Sequence, residues 1–189
     1  SNTTPKYAQK GLKGEEKRLK LKLKLIADIG LIGLPNAGKS SLLNEITNAN
    51  IKIGDYPFTT LEPNLGVLNG KVLADIPGLI EGASEGKGLG HKFLKHIEKV
   101  KLLLHCISCE SDNPLKDYKI IREELKKFNP DLLNKKEMIL LTKSDLKETE
   151  RSPLAAAAKL KKIGEKEVIP ISIHDWDSIQ ILTKVLSEV

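Results

Sequence analysis

The feature that most constrains the fold is the octapeptide at residues 33–40, which reads GLPNAGKS and fits the pattern G-x-x-x-x-G-K-[S/T]. An apolar stretch at residues 26–32 precedes it and a helical pattern follows it. In this context, glycine-rich backbone N–H groups surround a phosphate and the helix N-terminus adds partial positive charge. We therefore predict a phosphate-binding loop, in which Lys39 reaches the β- and γ-phosphates and the Ser40 hydroxyl binds Mg²⁺. The nucleotide contacts predicted here are Gly33, Leu34, Pro35, Asn36, Ala37, Gly38, Lys39, Ser40 and Ser41.

Strand-like and helix-like stretches alternate along the rest of the chain, which predicts a doubly wound α/β sheet. An Asn-Gly pair at residues 69–70 predicts a tight hairpin turn, and hence one antiparallel strand in a mostly parallel sheet. The predicted strands are 26–32, 67–68, 71–76, 102–108, 137–142 and 168–171. The predicted helices are 41–49, 91–100, 115–128, 153–163 and 178–189.

The first part of the chain differs in composition from the remainder. Residues 1–18 are polar and lysine-rich, which indicates a flexible leader, and leucine then alternates with lysine from Leu19 to Leu25. This alternation is typical of a half-buried strand, here continuing into residues 26–32. We expect the strand to be poorly anchored, with an exposed apolar edge. The chain thus divides into a basic leader and linker strand, residues 1–24, and one nucleotide-binding domain, residues 25–189.

The net charge of +6 comes almost wholly from lysine, because arginine occurs only at positions 18, 122 and 151. Lysine attracts phosphate without the bidentate geometry of arginine, so the composition suits an acidic partner or, equally, a solvated lysine-rich surface. No apolar stretch is long enough to span a bilayer and no targeting leader opens the chain, so a cytoplasmic location is expected.

Cys106 and Cys109 form a C-x-x-C after a buried strand, which predicts structural thiols. The alternative is a redox pair or a metal site with His105.

Two further motifs follow the phosphate-binding loop in order. Asp75-Ile76-Pro77-Gly78 ends a predicted strand, where the carboxylate can hold Mg²⁺ through water and the Gly78 N–H can contact a γ-phosphate. Thr142-Lys143-Ser144-Asp145 follows another strand and resembles the [N/T]-K-x-D of GTPases. Its Asp carboxylate accepts from N1–H and the N2 amine of guanine, and its lysine stem packs along the base. Threonine in place of the commoner asparagine removes an amide from the network that braces these loops.

With these motifs in order, the chain resembles the Obg family of GTPases. Two segments carry the resemblance, DYPFTTL at residues 55–61 and DIPGLIEGA at residues 75–83, the latter continuing into GKGLG at residues 86–90. The resemblance covers roughly residues 11–189, so residues 25–189 correspond to an Obg-type G domain, a P-loop NTPase fold. The glycine-rich N-terminal domain of the family is not present in this sequence, which looks like an excised G domain or an unusually short member.

The resemblance implies further site residues. Residues 55–62 would form the first switch, with Thr60 binding Mg²⁺ in the GTP state, Thr59 as the fallback and Phe58 beside the nucleotide. The final guanine loop would be Ser172-Ile173-His174, where the family usually carries Ser-Ala and uses a backbone N–H. Trp176 nearby is expected to be a packing residue. Catalytic roles would fall to Lys39, Thr60 and Gly78.

Leu79 occupies the position that holds a water-orienting glutamine in the GTPase Ras, and leucine cannot orient water. None of the arginines lies in a switch segment, so slow intrinsic turnover is expected. Asn36 lies where several GTPases with a hydrophobic catalytic position carry an asparagine that ligates K⁺. The alternative is that Asn36 only tolerates a turn conformation.

These motifs predict a Mg²⁺-dependent GTPase that binds GTP and GDP and acts as a slow, monomeric switch. The Obg resemblance implies a role in assembly of the large ribosomal subunit, with that subunit or its rRNA as partner and no membrane. A nucleotide-gated ribosome- or RNA-binding module with incidental hydrolysis is the alternative. A related family that prefers ATP lacks the acid at position 145. Basic residues that flank the second switch could face rRNA or only solvent: His91, Lys92, Lys95, His96, Lys99 and Lys101.

Overall fold

The computed structural model describes residues 10–19, 27–47, 52–53, 64–76, 100–146, 157, 160 and 167–188. Within these residues the strands are β1 (Ile29–Ile32), β2 (Lys52–Ile53), β3 (Asn64–Leu68), β4 (Lys71–Asp75), β5 (Leu102–Ser108), β6 (Lys136–Thr142) and β7 (Val168–Pro170). The helices are α1 (Lys39–Ile46), α2 (Pro114–Phe128) and α3 (Trp176–Ser187), with a 3₁₀ turn at Pro130–Asn134.

The described strands form one sheet in the order β2-β3-β4-β1-β5-β6-β7. Strand β3 runs antiparallel to both β2 and β4, whereas the other neighbours pair in parallel. Asn69 and Gly70 connect β3 to β4 with φ angles of 49° and 79°, the left-handed conformation that a two-residue hairpin turn needs. The predicted α/β sheet with one antiparallel strand is therefore confirmed among the described strands.

Alternate residues of the central strands pack against different helices. Leu31 and Leu104 belong to a buried cluster with residues of α1 and α3, whereas Ile32 and Leu103 belong to a second cluster with residues of α2. Successive side chains of a strand point to opposite faces, so the two clusters lie on opposite sides of the sheet. Helices on both faces explain why every residue of β1 and β5 except Ser108 is buried, as expected for a doubly wound sheet.

The beginning of β1 differs from the prediction. The strand starts at Ile29 rather than at residue 26, and Asp28, just before it, is held by its side chain as well as by its backbone. Its carboxylate accepts from the Val72 N–H at 3.1 Å and pairs with the Lys101 ammonium at 3.1 Å, and its carbonyl accepts from the Lys101 N–H at 2.7 Å. Leu19 belongs to no strand and is 77% exposed, so the predicted strand does not begin there. Residues 20–26 lie outside the described part of the chain.

Helix ends also shift by a residue or two, for reasons visible at the caps. The Asn113 side chain accepts from the Lys116 N–H and Pro114 occupies the first turn, so α2 begins one residue before the prediction. The Asp175 side chain accepts from the Asp177 N–H, and α3 therefore begins at Trp176 rather than at residue 178. Of the predicted helix 153–163, the residues described are 157 and 160, and both are helical. Of the predicted helix 91–100, the described residue is Val100, which is buried and not helical.

Both cysteines are buried free thiols. Cys106 packs in the cluster of Leu104, whereas Cys109 packs with Ile107 in a cluster on the other face of the sheet. Burial raises the pKa of Cys106 to about 12. Both thiols are thus free and buried in separate clusters, as the structural interpretation predicts. No group of three or more metal-ligating side chains occurs among the described residues.

Among the described helices, none has the length and apolar character needed to cross a lipid bilayer.

Candidate functional site

The phosphate-binding loop leaves the end of β1, in the middle of the sheet, and enters α1. Gly33 has a φ of 149°, and a Cβ there would lie 2.3 Å from the Cys106 carbonyl oxygen, so glycine is required. Gly38 has a φ of 79° and precedes α1 without a side chain to cap it. The first turn of α1 also carries no acidic residue. The N-terminal N–H groups of α1 are thus oriented toward the loop, as anion binding requires.

Lys39 folds back over this loop. Its ammonium donates to the Gly33 carbonyl at 3.0 Å and to the Leu34 carbonyl at 2.9 Å. These contacts hold a cation at the mouth of the loop, where phosphate oxygens can take the place of the two carbonyls. Asn36 in the same loop has a φ of 61°. The turn conformation that was the alternative to K⁺ binding is therefore present, and cation binding by Asn36 stays a prediction.

The two described side chains predicted to hold Mg²⁺ lie next to each other. Parallel pairing places Asp75 beside Leu31 at the end of β1, and the Ser40 hydroxyl donates to Asp75 Oδ2 at 2.5 Å. Asp75 is 5% exposed, and its Oδ1 is buried without a hydrogen-bond partner among the described residues. A hydroxyl and an unsatisfied carboxylate oxygen beside the phosphate-binding loop suit Mg²⁺, which prefers oxygen ligands and keeps several waters.

A cleft of about 230 Å³ lies at the same edge of the sheet, beyond the start of α1. Asp145 is exposed at this cleft, and a hydrogen bond with the Ser172 side chain lowers the pKa of its carboxyl. Ser172 is buried and accepts from the His174 N–H at 3.0 Å, which fixes the direction of its hydroxyl. The cleft therefore presents an ionised acceptor. Its lining consists of Gly38, Ser41, Leu42, Thr142, Lys143, Asp145, Leu146, Ile171, Ile173 and His174.

Thr142 joins the loops around this cleft through its hydroxyl, in place of the amide that the commoner asparagine would supply. Its hydroxyl lies 2.8 Å from the Ala37 carbonyl and 3.2 Å from the Ile107 carbonyl, in a buried position. The hydroxyl thus joins the phosphate-binding loop to the loop after β6. A hydroxyl and an amide both donate hydrogen bonds, so the substitution changes the donor and keeps the link.

The last guanine loop resembles its predicted form more closely than its sequence suggested. The Ser144 N–H donates to the Ile171 carbonyl at 3.2 Å, which joins this loop to the one that carries Asp145. Ile173 and His174 line the cleft, and the backbone N–H contact to guanine stays a prediction. Trp176, in contrast, is 67% exposed at the start of α3, which contradicts the expectation that it is a packing residue.

Several predicted site residues lie outside the described part of the chain. They are Phe58, Thr59 and Thr60 of the first switch and Pro77, Gly78 and Leu79 of the second. Lys39 is therefore the described member of the predicted catalytic set, and the roles of Thr60 and Gly78 stay predictions.

Glu110 was not anticipated from the sequence. It lies two residues after β5 and pairs with the Lys143 ammonium, one residue after the adjacent strand β6. Because parallel strands bring their carboxyl ends to one edge, a carboxylate after one strand and a lysine after the next are the signal that could have identified this pair.

A contact between His105, Glu137 and Arg122 was also not predicted from the sequence. His105 Nδ1 lies 2.8 Å from the Glu137 carboxylate, and the Arg122 guanidinium donates to the same carboxylate at 2.9 Å.

Comparison with known proteins agrees with this geometry. A family model described as 50S ribosome-binding GTPase matches residues 28–143. GTPase Obg from Desulfotalea psychrophila is 45% identical over 194 residues, covering 100% of this chain and 52% of the relative. GTPase Obg from Fervidobacterium nodosum is 53% identical over 175 residues, covering 87% of this chain and 40% of the relative. The chain thus spans about half the length of the curated relatives it matches.

Solved structures with low sequence identity share the fold. A variant of Era from Aquifex aeolicus, bound to GDP and AlF₄⁻, aligns with a TM-score of 0.62 and 22% identity over 87% of this chain and 57% of that one. Era in complex with MgGDPNP and a segment of 16S ribosomal RNA aligns with a TM-score of 0.61 and 20% identity over 88% of this chain and 57% of that one.

Proposed function

The chain belongs to the 50S ribosome-binding GTPase family, as a G domain of the Obg type, and from that premise we propose that it binds GTP with Mg²⁺ and hydrolyses it to GDP and phosphate. The observation that carries this proposal is the arrangement of three groups at one edge of the sheet. Lys39 lies over the phosphate-binding loop, Ser40 contacts Asp75, and Asp145 faces the adjacent cleft. Triphosphate, metal and base would thus each meet a matching group.

Each group has a distinct part in the proposed reaction. The backbone N–H groups at the start of α1 and the Lys39 ammonium bind the phosphates and stabilise charge that develops as the γ-phosphoryl group leaves. Mg²⁺, held by Ser40 and through water by Asp75, would neutralise charge between the β- and γ-phosphates. The ionised Asp145 accepts from guanine N1–H and N2, a donor pair that adenine lacks. Thr60 and Gly78 complete the γ-phosphate site by resemblance to Obg.

We propose that turnover is slow without a partner. Leu79 cannot orient the attacking water, and Arg122 donates to the buried Glu137 carboxylate rather than to a phosphate site. Stabilisation near the β–γ bridging oxygen would then depend on K⁺ at Asn36 or on a partner. Slow hydrolysis suits a switch, because the GTP-bound state then lasts long enough to bind a partner that has higher affinity for it than for the GDP-bound state.

The partner we propose is the large ribosomal subunit, in its assembly. Two observations support this choice: the description of the family model as 50S ribosome-binding, and the net charge of +6, which favours association with RNA phosphates. The cytoplasmic location and the monomeric state expected from the sequence stay predictions.

Single-turnover hydrolysis of GTP tests this function. Phosphate release is followed with Mg²⁺ or with EDTA, and with or without purified large ribosomal subunits, in the unmodified chain and in Lys39→Ala. We expect slow release that requires Mg²⁺ and Lys39 and rises with the subunits. Binding of GTP without release under any condition would favour the nucleotide-gated module, and absence of GTP binding would refute both functions.

A further inference from the structure

The Lys143 side chain lies between two cavities and is held by a carboxylate, Glu110, that belongs to none of the motifs identified in the sequence. It borders the cleft that contains Asp145 and also a second cavity of about 250 Å³ against the phosphate-binding loop, so its stem forms part of the wall between them. Its ammonium pairs with the Glu110 carboxylate. We propose that Glu110 is a positioning residue: it orders the Lys143 stem as one face of the guanine cleft before the nucleotide arrives. This inference rests on the proposed binding of guanine nucleotides.

The backbone around Glu110 is fixed by local hydrogen bonds. Ser108 pairs in register with Thr142 at the ends of β5 and β6, and the Cys109 N–H donates to the Thr142 carbonyl at 2.9 Å. The Glu110 N–H donates to the Ser108 hydroxyl at 3.1 Å, and that hydroxyl lies 3.4 Å from Glu110 Oε2. The carboxylate is thus directed toward the end of β6, where Lys143 begins its loop.

The backbone of Lys143 is constrained as well. Its φ of 57° lies in the left-handed region, which a non-glycine residue adopts only where the surrounding structure requires it. The Leu146 N–H donates to the Lys143 carbonyl at 3.2 Å, closing the turn that carries Asp145. With the backbone fixed, the direction of the side chain depends on what holds its ammonium.

Charge in the neighbourhood makes this pairing consequential for the base. The Lys143 ammonium, through its hydrogen bond and its charge, lowers the pKa of Glu110, whereas Asp145 acts in the opposite direction on the same carboxyl. Lys143 also lowers the pKa of Asp145 through its charge, so its ammonium acts on two carboxylates, one of which must accept from guanine. Pairing with Glu110 keeps the ammonium away from the Asp145 oxygens and leaves them available to the base.

Ordering the side chain in advance also lowers the entropy lost on binding. A free lysine has many rotamers, and packing its stem against a base would restrict them at that moment. The ion pair restricts them beforehand, so less affinity is lost, which is the general effect of preorganisation. The side chains of Lys143 and Glu110 are 34% and 52% exposed, so the pair is screened by salt and its effect is modest.

The test compares GDP binding by the unmodified chain, Glu110→Gln and a matched control, Glu123→Gln, which makes the same charge change at an exposed position of α2. At low ionic strength we expect Glu110→Gln to raise the Kd about two- to fivefold, mainly through faster release of a fluorescent GDP analogue. Added salt should remove the difference, and the GDP-to-IDP affinity ratio should stay unchanged because Asp145 is intact. Glu123→Gln should match the unmodified chain.

A second background separates positioning from a purely structural effect. Lys143→Met keeps an unbranched stem and removes the charge, so adding Glu110→Gln to it should change the Kd no further. An equal loss in both backgrounds, or no loss in Glu110→Gln at low salt, would overturn the inference. Failure of the unmodified chain to bind GDP would instead refute the proposed function.

Discussion

Replacement of Thr142 by valine tests whether one hydroxyl joins the phosphate-binding loop to the guanine loop. Valine has nearly the same shape but no donor, so the carbonyls of Ala37 and Ile107, at 2.8 Å and 3.2 Å from the hydroxyl, lose that partner. Thr142 is 4% exposed, so water cannot readily replace it. Loss of a buried hydrogen bond of this kind costs about 1–2 kcal/mol of the free energy of unfolding.

The magnitude predicts measurable changes in two assays. For a domain of this size, a loss of about 1–2 kcal/mol lowers Tm by about 2–8 °C. The variant binds GDP only after its two loops come together without this bond, so at most the same energy is lost from binding and the Kd for GDP should rise by up to about 30-fold. Thermal unfolding of the nucleotide-free chain and calorimetric titration with GDP measure the two quantities.

Thr142→Ser is the matched control, because it keeps the hydroxyl and loses the methyl group. We expect it to lower the free energy of unfolding by about 0.8 kcal/mol, the value of one buried methylene, while binding GDP almost as tightly as the unmodified chain. The reasoning would be refuted if the valine variant had unaltered Tm and GDP affinity, or if serine weakened GDP binding more than valine.

Three further changes test other parts of the account. Lys39→Ala should lose nucleotide affinity with or without Mg²⁺, whereas Ser40→Ala should lose mainly the part of the affinity that depends on Mg²⁺. Nucleotide titrations with and without Mg²⁺ distinguish the two variants. An unchanged Mg²⁺ dependence in Ser40→Ala would exclude Ser40 as a Mg²⁺ ligand. Hydrolysis should be faster in KCl than in NaCl at equal ionic strength. Asn36→Ala should abolish this difference in rate while GDP affinity stays nearly intact. Equal rates in the two salts for the unmodified chain would contradict K⁺ binding at Asn36. The hydrogen bond from the Val72 N–H, with the nearby Lys101, lowers the pKa of Asp28. The Asp28 carboxylate therefore stabilises the fold above the unfolded pKa of about 4, and this contribution is lost as pH falls through the lower folded pKa. In denaturant titrations Asp28→Asn should cost about 1–2 kcal/mol of the free energy of unfolding at pH 7 and progressively less below pH 4, and a cost that does not change with pH would contradict this.

The sequence predicted the parts of the fold in which one physical requirement dominates. Strand β5 begins and ends as predicted, because an apolar run in a sheet covered on both faces has few other possible conformations. The turn at Asn69 and Gly70 was predictable because both residues tolerate positive φ. Strand β2, with the residues Lys52–Ile53, was not predictable, since two residues show no periodicity and pair only because β3 is already present.

The site shows the same division. Contacts to phosphate, metal and base follow from motif spacing, since each motif ends a strand at the same edge of the sheet. Contacts that hold other parts of the site in place, such as those of Thr142 and Glu110, could not be predicted from the local sequence. The direction of the Thr142 hydroxyl depends on the distance to Ala37, and the partner of Lys143 depends on the strand that lies beside β6. Both are properties of the assembled sheet.

The central claim is that this chain recognises guanine through the Asp145 carboxylate. Its most direct test is calorimetric titration of the unmodified chain and Asp145→Asn with GDP, ADP and XDP. The unmodified chain should prefer GDP over ADP by at least about a hundredfold, because a site that hydrogen-bonds a substrate rejects analogues without the matching groups. Asp145→Asn should lose about a hundredfold in GDP affinity and should prefer XDP, since an amide donor then faces the oxygen of xanthine. Equal affinity of the unmodified chain for GDP and ADP would contradict the account.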